Sequence, residues 1–272
     1  MLRRRSLLLA LSTALSTTSC ATGPSSASAP RVVVATPVAA ATPPAGSVAP
    51  VPAPAPVVAP EPAPRVEEVS VHPGINDAYQ KEQRVGPWVR RLERDGREVH
   101  DRRVDILRAL ALQPGMAVAD VGAGTGLFTL EFARAVGDRG RVYAVDVMPK
   151  FLEHIDHKAA RAGLSQVRTV QAGERDVGLD EAAVDLVFMS DVYHHIEYPR
   201  AYLASLRRAL RPGGRLVLID FRREEGQSDA WILEHVRAGQ AQVVREFTEA
   251  GFVLEQEVEL LRENYFLRFR RP

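Results

Sequence analysis

The chain reads as a doubly wound α/β protein, a mostly parallel sheet with helices on both faces. Two observations predict this. From residue 117 onward, apolar runs of strand length alternate with amphipathic helical stretches, and the runs are nearly continuous in Val, Ala, Leu and Ile. A strand covered on both faces has no solvent side to mark with polar residues, so such runs belong in a parallel sheet between helices. In addition, the first run ends in Asp120 and opens directly into the glycine turn Gly122-Ala-Gly-Thr-Gly126. A turn of this kind joins the first strand to the first helix where backbone must come close to a ligand.

The elements follow in order. Strands are expected at 117–121, 141–146, 166–171, 184–190 and 214–220, and helices at 126–136, 149–162, 200–210 and 229–250, the last open to a break. Pro149 suits a helix start, and Gly251 a helix stop. Residues 77–112 are charged and helical in pattern, interrupted at Gly86-Pro87, and Pro114-Gly115 separates them from the first strand. After Gly251, Phe252–Leu260 and Tyr265–Arg270 form two strands around Arg262-Glu-Asn264, a hairpin-like ending.

In an open α/β sheet, ligands bind beyond the carboxyl ends of the strands, where the strand order reverses. The glycine turn and the helix N-terminus behind it prepare that place for a nucleoside cofactor. Asp146 ends the second strand, where a ribose-binding carboxylate sits in a dinucleotide-type fold. The glycine spacing is one residue shorter than the Gly-x-Gly-x-x-Gly of NAD sites, which argues against a dinucleotide.

Three segments carry a resemblance. Val118-Ala-Asp-Val-Gly-Ala-Gly-Thr-Gly-Leu127 resembles the first motif of class I S-adenosylmethionine (SAM) dependent methyltransferases. Val184-Asp-Leu-Val-Phe-Met-Ser-Asp191 resembles that family's fourth strand, and Leu210-Arg-Pro-Gly-Gly-Arg-Leu-Val-Leu-Ile-Asp220 its Pro-Gly-Gly turn and fifth strand. The resemblance implies a Rossmann-like, seven-stranded, mostly parallel sheet with an antiparallel C-terminal strand, and SAM as cofactor. It places Gly122, Ala123, Gly124, Thr125 and Gly126 around the methionine end of the cofactor. Asp146 then meets the ribose hydroxyls and Val147 packs on the adenine; the alternative for Asp146 is a helix N-cap. Asp120 orders the glycine loop or meets the cofactor's amino group, or is purely structural. The family commonly has Gly-Asp-Ala after strand three. Here Gly173-Glu174-Arg175 stands instead, so Glu174 is the candidate for the adenine amino group. In the same family, helices placed like 77–112 form a lid over the active site; a plain packing role is the alternative.

Asp191-Val-Tyr-His-His-Ile-Glu-Tyr-Pro199 follows strand four and, by the resemblance, faces the transferred methyl group. Asp191 is expected at the cofactor. His194 or His195 is the candidate base, with a pKa near working pH, and Tyr193 the candidate for orienting the acceptor. Alternatively one histidine is packed and the other caps the next helix. Asp220, His235 and Arg237 could share this rim with a histidine as a metal or acidic-substrate site, but ligands so scattered are weak evidence and no metal is expected.

The chain has 272 residues and a formal charge of +1, which gives no basic excess for nucleic acid. No Pro-Cys nucleophile and no Asn/Asp-Pro-Pro-aromatic motif is present, so nucleic-acid bases are poor candidates as acceptors. A small-molecule or lipid-like acceptor remains. A non-catalytic, exported ligand-binding protein on the same fold is the competing reading.

The front of the chain differs from the rest. Arg3-Arg4-Arg5, an apolar run from Leu7 to Leu15 and Cys20 give residues 1–20 the form of a secretory signal, with lipidation expected at Cys20, the sole cysteine. Residues 21–66, rich in Ala, Pro and Val, read as a disordered tether, and 67–272 as the folded domain. The protein is therefore expected in a bacterial envelope, facing the periplasm and held by a lipid anchor; an unused signal would leave it cytoplasmic. Its oligomeric state is open.

Overall fold

The computed structural model describes residues 67–272; the expected signal, the lipid-anchor site at Cys20 and the linker 21–66 lie outside the described residues. Four short helices come first: α1 (Asp77–Lys81), α2 (Val85–Leu92), α3 (Glu98–Asp101) and α4 (Arg103–Leu110). Then β1 (Ala117–Val121), α5 (Thr129–Val136), β2 (Arg141–Asp146), α6 (Pro149–Arg161), β3 (Val167–Gln171) and β4 (Val184–Ser190) alternate. A 3-10 turn at Tyr193–His195 leads to α7 (Pro199–Ala209), β5 (Leu210–Phe221), α8 (Ala230–His235), α9 (Gln240–Glu249), β6 (Val253–Glu257) and β7 (Asn264–Arg270).

The seven strands lie in the order β3-β2-β1-β4-β5-β7-β6. Strands β1 to β5 pair in parallel, and β7 runs antiparallel between β5 and β6. This is the expected Rossmann-like, doubly wound sheet with an antiparallel C-terminal strand. The chain moves outward from β1 in one direction, then returns to start β4 on its other side. The crevice between those two strands is the switch point where a ligand belongs.

Both faces of the sheet are packed. Val118, Leu186, Phe188, Val217, Ile219 and Phe266 point into one core with Ile106, Phe132 and Ile155 of α4, α5 and α6. Their neighbours Ala119, Val187, Met189, Leu216, Leu218 and Leu267 point the other way, onto Leu203, Leu206, Val243 and Phe247 of α7 and α9. Alternation along each strand thus feeds two apolar layers, the physical reason these strands carry no polar stripe.

Among the boundaries that depart from expectation, three have a plain physical cause. Helix α5 starts at Thr129 rather than 126, because Gly126 has φ +76°, which a right-handed helix cannot contain. Strand β5 begins at Leu210, with a register break opposite β4 that absorbs the Pro-Gly-Gly turn. Gly86-Pro87 does not break the N-terminal helices but sits in the first turn of α2. Proline's missing N–H costs little in a first turn, where the N–H groups have no helical partner.

Candidate active site

The C-terminal ends of β1, β2 and β4 open onto a cavity of about 310 Å³. Its floor is the glycine loop. The amides of Gly122 and Ala123 both donate to the Val145 carbonyl, at 2.8 and 3.0 Å, which draws the loop across the end of β2. Gly122 adopts φ +71°, and a Cβ there would lie 2.2 Å from Cγ2 of Val192, on the turn after β4. The two strand-end turns at the switch point are therefore packed backbone to side chain, and no larger residue fits.

Asp146 and Asp120 stand beside this loop. The Gly124 amide donates to Oδ2 of Asp146 and the Met148 amide to its Oδ1, both at 2.9 Å. The carboxylate thus ties the loop to the start of α6, without being the N-cap, a position held by Met148. Burial pushes Asp146 up to about 6 against these amide bonds. Thr129 donates its hydroxyl to Asp120 at 2.5 Å, and burial pushes Asp120 up to about 7 in spite of that bond. Two carboxyls at the upper edge of their range, on a cavity wall, fit a site that awaits hydroxyl and ammonium donors.

Residues Ala123, Gly124, Thr125, Val147 and Glu174 also line the cavity, with Met148, Phe151, Ala172 and Gly173. Gly126 does not; its Cα faces Ile155 of α6, 2.9 Å from where a Cβ would stand, so it serves helix packing. The hydroxyls of Thr125 and Ser190 are buried with no protein partner, though both residues line the cavity. Buried hydroxyls are seldom left unpaired, and a polar ligand would satisfy them. Ser190 has no sequence signature beyond ending an apolar strand.

The lid is real. Asn76, Tyr79, Gln80, Leu92 and Arg97 line the cavity opposite the glycine loop. Tyr79 stacks on Trp88 at 4.3 Å, and Lys150 of α6 donates to the carbonyls of Tyr79 and Glu82. Arg97 pairs with Asp191 at 2.6 Å, while Asn264 of β7 donates to the other oxygen of Asp191, also at 2.6 Å. Burial raises the Asp191 pKa and Arg97 opposes it. Asp191 lines the cavity with φ +51°, a left-handed conformation rare for a residue with a Cβ. It joins the N-terminal helices to the start of β7 while lining the cavity where the sequence expects a cofactor residue.

The three catalytic candidates divide. Tyr193 is a correction: its hydroxyl donates to Glu246 of α9 at 2.6 Å and its ring packs on Phe247 in the core, so it does not face the cavity. Burial and Glu246 raise its pKa above the ordinary tyrosine value. His194 is buried as well. Its Nδ1 donates to Asp220 at 2.6 Å and its backbone amide to the same carboxylate at 3.1 Å. Burial disfavours the imidazolium, yet Asp220 outweighs it and the His194 pKa is raised. Only His195 lines the cavity. Burial, then His194 and His235, drive it down to about 2. The two histidines are thus shifted in opposite directions, His194 upward by its carboxylate and His195 downward by burial and its neighbours.

The comparisons with known proteins agree with this geometry. Residues 119–218 match the family described as "Methyltransferase domain". A ubiquinone/menaquinone biosynthesis C-methyltransferase (UbiE) of Shewanella frigidimarina is 31% identical over 116 residues, which are 42% of this chain and 46% of that protein. The corresponding protein of Vibrio campbellii is 33% identical over 110 residues, 40% of this chain and 42% of that protein. The chain thus spans less than half the length of the curated relatives it matches. In structure it resembles a SAM-dependent methyltransferase from Aquifex aeolicus, with TM-score 0.62 and 27% identity, over 68% of this chain and 98% of that one. Residues 119–218 thus match a methyltransferase domain, and the fold and glycine-floored cavity are similar to those of a SAM-dependent methyltransferase.

Proposed function

We propose that the protein transfers a methyl group from SAM to a small-molecule or lipid-like acceptor. One observation carries this reading: a single cavity runs from the glycine loop and Asp146 to a wall of Tyr79, His195 and Ile196. The residues fit the cofactor. Gly122 leaves room for close approach, Asp146 offers the remaining lone pairs of its two oxygens to a vicinal diol, and Thr125 and Ser190 offer unpaired hydroxyls. Val147, Met148 and Phe151 give an apolar bed for a purine, beside the exposed Glu174.

SAM supplies an electrophilic methyl on a sulfonium, and the protein's task is to align an acceptor in line with it and to exclude water. The lid covers the cavity, and the Arg97–Asp191 pair fixes the lid to the end of β4. Neutral His195 lends an uncharged polar edge on the acceptor side, in contact with the Tyr79 ring at 5.1 Å. The relatives' names, with C-methylation in quinone biosynthesis, support a lipid-like acceptor. The signal-like residues 1–20 and Cys20 support placement in the envelope by a lipid anchor.

A second reading is favoured by the state of the histidines. With His194 tied to Asp220 and His195 far below its ordinary pKa, neither histidine offers the cavity a free imidazole base. The fold would then bind the nucleoside ligand without turnover. Calorimetric titration of the purified chain with SAM, its demethylated product and NAD tests both. Micromolar binding of SAM and product but not NAD, lost in Asp146→Ala, is expected. Methyl release into a panel of phenolic and quinol lipids then separates enzyme from binder. Binding of none of the three by folded protein overturns both readings.

A further inference from the structure

Three imidazoles meet just behind the cavity wall. His194 and His195 belong to the turn after β4, and His235 to the last turn of α8. Their ring centres lie 4.3 Å (His194–His195), 5.2 Å (His194–His235) and 5.0 Å (His195–His235) apart, and one nitrogen from each falls within 4.8 Å of the others. A tetrahedral ion bound at about 2.1 Å by three imidazoles holds their ring centres about 5 Å apart, which is close to the observed spacing. Small ring rotations would bring the nitrogens in.

Two further features point to a ligand here. The carboxylate of Asp220 holds Nδ1 of His194 at 2.6 Å and leaves Nε2 as that ring's ligating atom. A carboxylate behind a histidine, fixing its tautomer and orientation, is the usual outer partner of a metal-bound imidazole. Nδ1 of His195, meanwhile, is buried with no hydrogen-bond partner in the protein, and buried polar atoms are seldom left unpaired.

We propose that His194, His195 and His235 form a binding site for a divalent transition metal of the zinc class, with Asp220 as the orienting carboxylate. The site shares His195 with the SAM cavity, so its open fourth position would serve an oxygen of the acceptor or a water next to it. Its electrostatics suit a cation in part. Arg91 opposes a cation at His195 and His235, whereas Asp220 and Asp191 favour positive charge at His194. Phe221 and the half-exposed Trp231 close one side, with Trp231 edge-on to Phe221 at 5.0 Å and 6.4 Å from His235. A low-dielectric wall of this kind strengthens metal–imidazole bonding. The exposed group Asp95, His100 and Asp101 is not comparable, since Asp101 already accepts from the Gly96 amide and faces water.

The test needs no methyl transfer. Untagged full-length protein, stripped with a chelator, is titrated with Co²⁺ under a visible spectrometer, then with Zn²⁺. We expect one equivalent of Co²⁺ with the intense visible bands of a tetrahedral, nitrogen-ligated ion, displaced by Zn²⁺. His235→Ala, on a half-exposed helix end, should weaken binding at least 100-fold, and Asp220→Asn about 10- to 100-fold. Thermal unfolding and SAM titration of each variant report whether the fold and cofactor site survive. No stoichiometric Co²⁺ or Zn²⁺, binding unchanged in His235→Ala, or binding lost instead in His100→Ala would each overturn the proposal.

Discussion

Asp120 and Asp146 carry the chemistry of this site at the scale of single residues, and each gives a measurable consequence. Asp146 is the proposed partner of the ribose diol. Two hydrogen bonds from hydroxyls to a carboxylate contribute roughly 3 kcal/mol, or about 100-fold in affinity. Asp146→Ala should weaken SAM binding by at least that factor, measured by calorimetry, and more if the glycine loop loses its anchor at Gly124. Asp120 bears on stability. Its folded pKa, about 7, lies above the ordinary 3.8. Between those values the folded state binds more protons than the unfolded one, so the group's contribution to stability falls as pH rises. The penalty is absent below about pH 4 and complete above about pH 7. Asp120→Asn, which keeps an acceptor for Thr129, should therefore stabilise the ligand-free protein at pH 8 by roughly 2–4 kcal/mol. The gain should vanish near pH 4, as read from denaturant unfolding at both pH values. The sequence placed both aspartates at strand ends, because a polar residue closing an apolar run is conspicuous. It could not show that Tyr193 turns into the core, because neighbours in a tight turn point in different directions and only the arrival of α9 settles which one is buried.

Single elements act here through the carboxylates that join them. Glu98, at the start of α3, accepts the backbone amides of Arg262, Glu263 and Asn264 at 2.5, 2.9 and 3.1 Å. It fastens the lid to the loop between β6 and β7, next to the Arg97–Asp191–Asn264 clamp. Charge-assisted bonds of this type contribute about 1.5–3 kcal/mol each when buried and less when exposed. Since this group faces solvent, Glu98→Ala should cost roughly 1–2 kcal/mol in urea unfolding. It should also speed amide exchange at 262–264 and in the lid more than in the sheet. The glycine loop gives the complementary case. Gly122→Ala places a methyl group against Val192 at a left-handed φ. Strain and overpacking together cost roughly 2–4 kcal/mol, so unfolding should come at lower denaturant and SAM binding should be lost. The loop was legible from its spacing alone, since only glycine tolerates that path. The lid's contacts were not. Residues 77–112 announced helices, but the partnership of Arg97 with Asp191 spans 94 positions in the chain and leaves no local pattern.

At the scale of the whole molecule, the sheet order brings the site together. The reversal between β1 and β4 puts the glycine loop beside the Asp191–His195 turn, and β5 and α8 deliver Asp220 and His235 to the same rim. No helix among the described residues is long and apolar enough to cross a membrane, and attachment by a lipid at Cys20 is a proposal from the sequence. Expression in a bacterium that processes lipoproteins should send the full chain to the membrane fraction. Cys20→Ser should release it while SAM binding stays within about twofold, a margin far below the tenfold of 1.4 kcal/mol. Membrane association that persists in Cys20→Ser would count against the anchor.

What the sequence determined by itself was the fold and the cofactor loop. Strand period, helix period and glycine spacing are local, and each has one physical cause that a few neighbouring residues reveal. Only the tertiary structure decided which side chains face the cavity, which of the paired histidines is tied to Asp220, and that His235 closes on both of them. Those outcomes depend on strand order and on helix docking across tens of residues. Burial then sets the charge state of each group, and burial is a property of the packed chain rather than of any segment of it.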